Sequence, residues 1–237
     1  MKYKYKPQTK GELKEIIERE IENQGKNADL NMIDTSLITD MSFLFADSWF
    51  KGDISQWDVS NVVDMCCMFE NSRFNGDISQ WDVSNVKKMC CMFTDSWFNG
   101  DISQWNTSNV TNICCMFQNS KFSGDISNWD LSNVKKASQS LFNSKIPNEV
   151  KLTVVLKLSK NDECDLNKIV ENYKKENDII KFILNNYNHK DICYAFKKAN
   201  ISYEKIMHLA SKLIEIECLY NIYPALYGEM INDMLDI

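Results

Sequence analysis

Glycine and proline are scarce, with seven Gly and three Pro in 237 residues. Flexible linkers are built largely from such residues, so the composition excludes long hinges between independently moving parts. Histidine is scarcer still: only His189 and His208 occur, 19 residues apart in segments that read as different helices. Neither lies near a nucleophile motif, and no glycine-rich phosphate loop, H-E-x-x-H or G-x-S-x-G is present. The inventory therefore argues against an enzyme, and both histidines read as ordinary surface or packing residues. No apolar run reaches the length that a bilayer span requires. Residues 1–10 carry Lys2, Lys4 and Lys6 with no apolar stretch behind them. No secretory signal is expected, and the chain reads as cytoplasmic.

Cysteine is not scarce. Six of the nine stand as the adjacent pairs Cys66-Cys67, Cys90-Cys91 and Cys114-Cys115. An odd count without an export signal reads as reduced thiols. Thiolates are good zinc ligands, but no histidine lies near and neighbouring side chains diverge. One cysteine of each pair is expected to pack inward as a small apolar residue, and no metal or cofactor is expected. Net charge is −6, and residues 29–136 hold 14 Asp/Glu against 7 Lys/Arg, whereas residues 1–28 hold 7 Lys/Arg against 5 Glu. An acidic body of this kind disfavours direct binding to a nucleic-acid backbone.

The dominant feature is a repeat. GDISQWDVSN runs from Gly52 to Asn61 and recurs from Gly76 to Asn85, then as GDISQWNTSN from Gly100 to Asn109 and GDISNWDLSN from Gly124 to Asn133. The step is 24 residues each time. Asp29 to Asp34 aligns with Asp53 to Asp58, which extends the series to five repeats: 29–52, 53–76, 77–100, 101–124 and 125 to about 145. An unbroken period of this length predicts a solenoid, in which each repeat stacks only on its neighbours. Ile54, Trp57 and Val59 form an I-x-x-W-x-V run that predicts a strand. Val62, Met65, Met68 and Phe69 recur at helical steps and predict a short helix or 3₁₀ turn. Parallel strands in such a stack lie about 4.8 Å apart, so each repeat position becomes a column.

The segments on either side differ. Thr9 followed by Glu12 fits a capping box and predicts a helix from Lys10 to Asn23 with Leu13, Ile16, Ile17 and Ile21 on one face. Residues 1–28 are then an N-terminal cap and 29–145 the solenoid. Beyond Lys145 the repeat is gone. Val150, Leu152, Val154 and Val155 suit either a strand or a buried helix. Helices are expected at Asn167–Asn185, His189–Ala199, Ser202–Tyr220 and after Pro224, making 146–237 a helical domain. The expected class is an α/β solenoid.

The pattern F-N-x-D-I-S-x-W-D-V-S-N-V-x-x-M-x-x-M-F, here Phe74 to Phe93 and its copies, resembles the bacterial-surface-antigen (BspA-like) type of leucine-rich repeat, also known as a Mycoplasma repeat family of unknown function. Tyr5 to Ile17 and Ile33 to Phe45 resemble the lead-in to those repeats, so the likeness spans about residues 1–145. It implies a leucine-rich-repeat-like fold and protein–protein interaction, sometimes adhesion, with no catalytic residues. This chain departs from the pattern in its Cys-Cys pairs.

Two Asp columns also invite an active-site or cation reading: Asp53, Asp77, Asp101 and Asp125, and Asp58, Asp82 and Asp130 interrupted by Asn106. Their recurrence in every repeat fits an internal turn device better, with backbone amides or Ser hydroxyls satisfying the carboxylates. Asn61, Asn85, Asn109 and Asn133 are expected to bond to backbone along the stack.

Positions that vary between repeats are free for recognition. One column reads Trp49, Arg73, Trp97 and Lys121, flanked by Ala46, Glu70, Thr94 and Gln118. Trp and Arg anchor protein interfaces, although the two Trp rings would equally pack beneath a neighbouring turn. A second column pairs Val63-Asp64, Lys87-Lys88, Thr111-Asn112 and Lys135-Lys136. The expected strand face offers Gln56, Asp58, Gln80, Asp82, Gln104, Asn106, Asn128 and Asp130, a polar and acidic strip suited to a basic partner. The expectation is a non-catalytic binding protein with a protein partner, no nucleic acid and no membrane. A phage- or virus-encoded inhibitor of a host enzyme is the alternative, a surface adhesin the third reading, and an enzyme seated in 146–237 the last.

Overall fold

The structure is a computed structural model that describes residues 3–158. The expected helices beyond Leu158, both histidines, Cys164, Cys193 and Cys218 lie outside the described residues. Among the described residues no helix is long and apolar enough to cross a membrane.

Helix α1 spans Lys10–Gln24, and Thr9 caps it by accepting the Glu12 N–H through its hydroxyl. The Glu12 carboxylate accepts from the Gln8 amide at 2.7 Å rather than from that of Thr9, one residue earlier than the capping box predicts. Gly25, at φ 82°, stops the helix in a conformation that a side chain disfavours. Leu13 and Ile17 are fully buried against the first coil, with Ile16 and Ile21 at the margin. Glu20 is buried too. Its carboxylate accepts from Tyr5 Oη, Lys4 Nζ and Gln24 Nε2. These bonds, that from Tyr5 foremost, hold it below the ordinary carboxylate value.

From residue 29 the chain winds in coils of 24 residues, and the backbone connections between coils fall where helical turns were expected. Parallel bridges join Asp40 to Asp64, Asp64 to Lys88, Lys88 to Asn112 and Asn112 to Lys136. Alternate amides point to the next coil: Met65 to Lys88, Cys67 to Cys90, Phe69 to Met92 and Asn71 to Thr94, all at 2.8–3.0 Å. The amides between them close tight local turns, Met68 to Met65 and Glu70 to Cys67. This alternation requires left-handed backbone at every fourth residue, with Cys67 at φ 56° and Asn71 at 49°, repeated at Cys91, Asp95, Cys115 and Asn119. Asp and Asn tolerate that region best, which accounts for the Asp47, Asn71, Asp95, Asn119, Asn143 column. The helical spacing of Val62, Met65, Met68 and Phe69 thus reflects turns whose apolar members point inward.

The I-x-x-W-x-V segment is likewise not a strand. Trp57 N–H bonds to Ile54 O and Val62 N–H to Val59 O, giving two successive turns. Here side chains make the links between coils. Trp57, Trp81, Trp105 and Trp129 each donate Nε1–H to the carbonyl of Leu30, Ile54, Ile78 or Ile102 in the preceding coil, at 2.9–3.2 Å. Asn61, Asn85, Asn109 and Asn133 donate Nδ2–H to Ser36, Ser60, Ser84 and Ser108 in the same direction, at 2.7–2.9 Å, although these amides are exposed.

The core is columnar. Phe45, Phe69, Phe93 and Phe117 stack with centroids 5.6–5.8 Å apart, and Phe50, Phe74, Phe98 and Phe122 form a parallel column at 6.0–6.3 Å. The Trp rings make a third. Helix α2, Asn148–Leu158, closes the far end. Val150, Val154 and Leu158 join the same core, and Lys157 Nζ donates to Trp129 O at 2.9 Å. The apolar run that suited a strand or a helix is therefore a helix.

Gly52 sits where the coil packs most tightly: a Cβ added there would lie 1.9 Å from Ala28 O and 2.5 Å from the Phe50 ring. Gly11, in α1, has open space, with its nearest neighbour at 3.8 Å. Gly52→Ala is expected to lose about 2 kcal/mol or more to overpacking, whereas Gly11→Ala gains about 0.5 kcal/mol from helix propensity. Chemical denaturation of the two variants checks the contrast.

Candidate functional site

The varying columns are the part of the coil that packing leaves free. The corner residue of each coil donates its amide to the previous coil, Arg73 to Ser48, Trp97 to Ser72 and Lys121 to Ser96, each at 3.0 Å. This places Trp49, Arg73, Trp97 and Lys121 in one row. The Arg73 guanidinium lies 4.9 Å from the Trp49 ring centre and 4.0 Å from that of Trp97, between the two. Trp49 is nevertheless 65% exposed and Trp97 51% exposed. The rings do not pack beneath a turn; they hold a cation between them at the surface. Each exposed cation–π contact contributes about 0.5–1 kcal/mol, enough to keep the row ordered.

Beside the row lies an open depression lined by Phe43, Ala46, Asp47, Glu70, Asn71 and Asp95. Phe43 is 55% exposed, and Asn71 Nδ2 donates to Asp47 Oδ1 at 2.8 Å. Ala46 and Glu70 stand out in the sequence as flanks of the row, whereas Phe43, Asp47, Asn71 and Asp95 do not. The recurrence of Asp or Asn at positions 47, 71, 95, 119 and 143 was the available signal.

The second column is partly consumed internally, since Lys88 Nζ pairs with Asp64 at 2.9 Å. Lys87, Lys135 and Lys136 remain exposed. The polar strip of Gln56, Asp58, Gln80, Asp82, Gln104, Asn106, Asn128 and Asp130 is exposed throughout. It lies on turns, not on a strand face. One oxygen of each acidic member or its Asn substitute closes the turn: Asp58 accepts from Ser60 N–H, Asp82 from Ser84, Asn106 from Ser108 and Asp130 from Ser132. The other Asp column does the same, with Asp53, Asp77, Asp101 and Asp125 accepting from Ser55, Ser79, Ser103 and Ser127 at 2.8–2.9 Å. Hydrogen bonds from Ser55, Ser79 and Ser103 lower the Asp53, Asp77 and Asp101 carboxyls, and those from Ser84 and Ser132 lower Asp82 and Asp130. Strip and Trp row belong to different segments of the coil.

The cysteine reading needs two corrections. Inward packing holds for the first pair only: Cys66 and Cys67 are buried, whereas Cys90, Cys91, Cys114 and Cys115 are half-buried, and Met65, Met68 and Phe69 supply the core cluster. Cys66 and Cys90, 24 residues apart, are joined in a disulfide rather than reduced, because consecutive coils bring their Cα atoms to 4.7 Å. Cys67, Cys91, Cys114 and Cys115 remain thiols. Burial and the neighbouring Glu70 and Cys91 push the Cys67 thiol strongly upward. Among the described residues no group of three or more His, Cys, Asp or Glu is arranged to hold a metal ion.

A stacked array of 24-residue coils with an exposed Trp–Arg–Trp row thus describes the repeat region among the described residues. The family described as "Mycoplasma protein of unknown function, DUF285" matches residues 13–97 and 94–153, more than half of the chain, and the protein belongs to that family. No curated protein and no solved structure matches it.

The lowered Asp carboxyls carry a pH prediction. Groups held below their unfolded value of 3.8 stabilise the fold above that pH, and the contribution is lost as pH falls through their folded values. The urea midpoint is expected to drop below about pH 4. Asp53→Asn/Asp77→Asn/Asp101→Asn is expected to flatten that drop, since Asn accepts the same amide bond, as Asn106 already does in its own column. An unchanged acid profile in the triple variant contradicts the assignment.

Proposed function

We propose that this chain is a non-catalytic binding protein: a solenoid of the bacterial-surface-antigen (BspA-like), leucine-rich-repeat-like type that recognises a protein partner through the Trp49–Arg73–Trp97–Lys121 row. The observation that carries the reading is the exposure of two Trp rings with an arginine held between them. Large aromatic groups exposed on a rigid scaffold lose little entropy on binding, and Trp and Arg are enriched among residues that dominate interface energies. The adjoining depression adds an apolar ring, Phe43, beside the carboxylates of Asp47, Glu70 and Asp95, which favours a partner offering a basic side chain next to an apolar one.

A second reading is an inhibitor that offers the acidic strip to the basic groove of a nucleic-acid-binding enzyme. Its support is the exposure of Asp58, Asp82 and Asp130 in one column. Asp58→Lys/Asp82→Lys is expected to abolish inhibition under that reading and to leave binding through the Trp row intact.

Trp49→Ala/Trp97→Ala tests the first reading. Truncating an interface anchor costs about 2 kcal/mol or more, so even if the two losses overlap, affinity for a partner captured by the wild type is expected to fall at least about thirtyfold. Because both rings are exposed and only the two contacts to Arg73 are lost, the melting temperature is expected to fall by no more than several degrees. A partner bound equally by wild type and variant defeats the proposal.

A further inference from the structure

The disulfide lies in a column that continues past it. Position by position, Ser42, Cys66, Cys90, Cys114 and Ser138 occupy the same place in successive coils, and Cys66–Cys90 uses only two of the three cysteines. Cys114 stands to Cys90 as Cys90 stands to Cys66. The Asp64–Lys88 bridge is matched by Lys88–Asn112, and Cys67 N–H to Cys90 O is matched by Cys91 N–H to Cys114 O, both at 2.8 Å. The backbone relation that accommodates one disulfide is therefore present again one coil further on. Cys114 is half-buried and remains a thiol, and Ser138 Oγ donates toward its sulfur at 3.5 Å.

We propose that the Cys66–Cys90–Cys114 column is a thiol–disulfide exchange site, in which the Cys114 thiolate attacks the Cys90 sulfur and displaces Cys66. A Cys90–Cys114 bond forms and the Cys66–Cys90 bond breaks. The electron pair of the broken bond leaves on the Cys66 sulfur, which takes up a proton to replace the one that Cys114 released to solvent. Nothing is oxidised or reduced overall, so no further reagent is required. Attack on a disulfide runs along the extension of the S–S bond, and a column with one cysteine per coil puts the third residue on that side. Cys67, one position on, is a poor competitor at neutral pH because its buried surroundings keep the thiol protonated. The exchange moves a covalent staple by one coil, from the joint between repeats 53–76 and 77–100 to the joint between 77–100 and 101–124.

The test uses the full chain carrying Cys67→Ser/Cys91→Ser/Cys115→Ser, which leaves this column alone among the paired cysteines. That column already holds Phe43 and Gln139, so it tolerates other side chains. After incubation near about pH 8, where thiolates form, the sample is quenched in acid and cut by an Asp-specific protease. Cleavage at Asp77 and Asp82 separates Cys66 from Cys90, and cleavage at Asp95 and Asp101 separates Cys90 from Cys114. Mass spectrometry is expected to find both linked pairs, and only Cys66–Cys90 once Cys114→Ser is added. The Cys66–Cys90 link alone in the parent overturns the proposal. Wild-type protein gives an independent reading without these substitutions: a small alkylating reagent is expected to label both Cys66 and Cys114 over time. If, among the three cysteines of this column, only Cys114 is labelled, the proposal is also overturned.

Discussion

Each coil of this molecule sends alternate backbone amides to the coil beside it, and everything else inherits that 24-residue register. In the segment from Met65 to Asn71 and its copies, alternate donors go to the neighbouring coil and those between must close locally, which forces tight turns and two left-handed residues per coil. The same register stacks Phe on Phe and Trp on Trp, so the core is built of columns instead of interdigitated layers. The Trp indoles serve twice, filling the core and donating a hydrogen bond to the coil before. Each such buried bond contributes about 1 kcal/mol net, and leaving its carbonyl unpaired costs more.

Columns also organise the surface. A position that the core does not dictate becomes a row of side chains at regular spacing, and the chemistry of the row follows from the order of residues along it. In one row, alternation of aromatic and cationic residues gives an arginine gripped between two exposed indoles. In another, Asp64 and Lys88 neutralise one another. The acidic turn columns outweigh mutual repulsion differently, since each carboxylate is anchored on the backbone N–H two residues on. In the cysteine column, the same stacking that brings two sulfurs together leaves a third next in line.

Much of this was legible in the residues. The period, the number of coils, the capping helix from Thr9, the turn role of the Asp columns and the Asn ladder all follow from spacing and from what short polar side chains do with nearby backbone. The assignment of strand and helix within a coil did not. An apolar step of three or four residues describes a helix and a succession of tight turns equally well, and in the segment from Val62 to Phe69 only the inter-coil hydrogen bonds distinguish them. How deeply each cysteine pair sits was not legible either, because Met65 and Met68 and their copies take the core positions beside them and only Cys66 and Cys67 end up buried.

By itself the sequence determined the repeat, its length and its columns, because identical residues at a constant step must meet identical neighbours. It also offered the candidate row, since there the residues change in chemical character from aromatic to basic while the core columns stay mostly apolar. Tertiary structure alone decided whether Trp49 and Trp97 face solvent or core, since a corner residue is equally able to turn either way until the coils on both sides are placed. It likewise decided that Cys66 and Cys90 are bonded and Cys114 is not, a pairing that depends on Cα atoms 4.7 Å apart across a joint that 24 residues of chain separate.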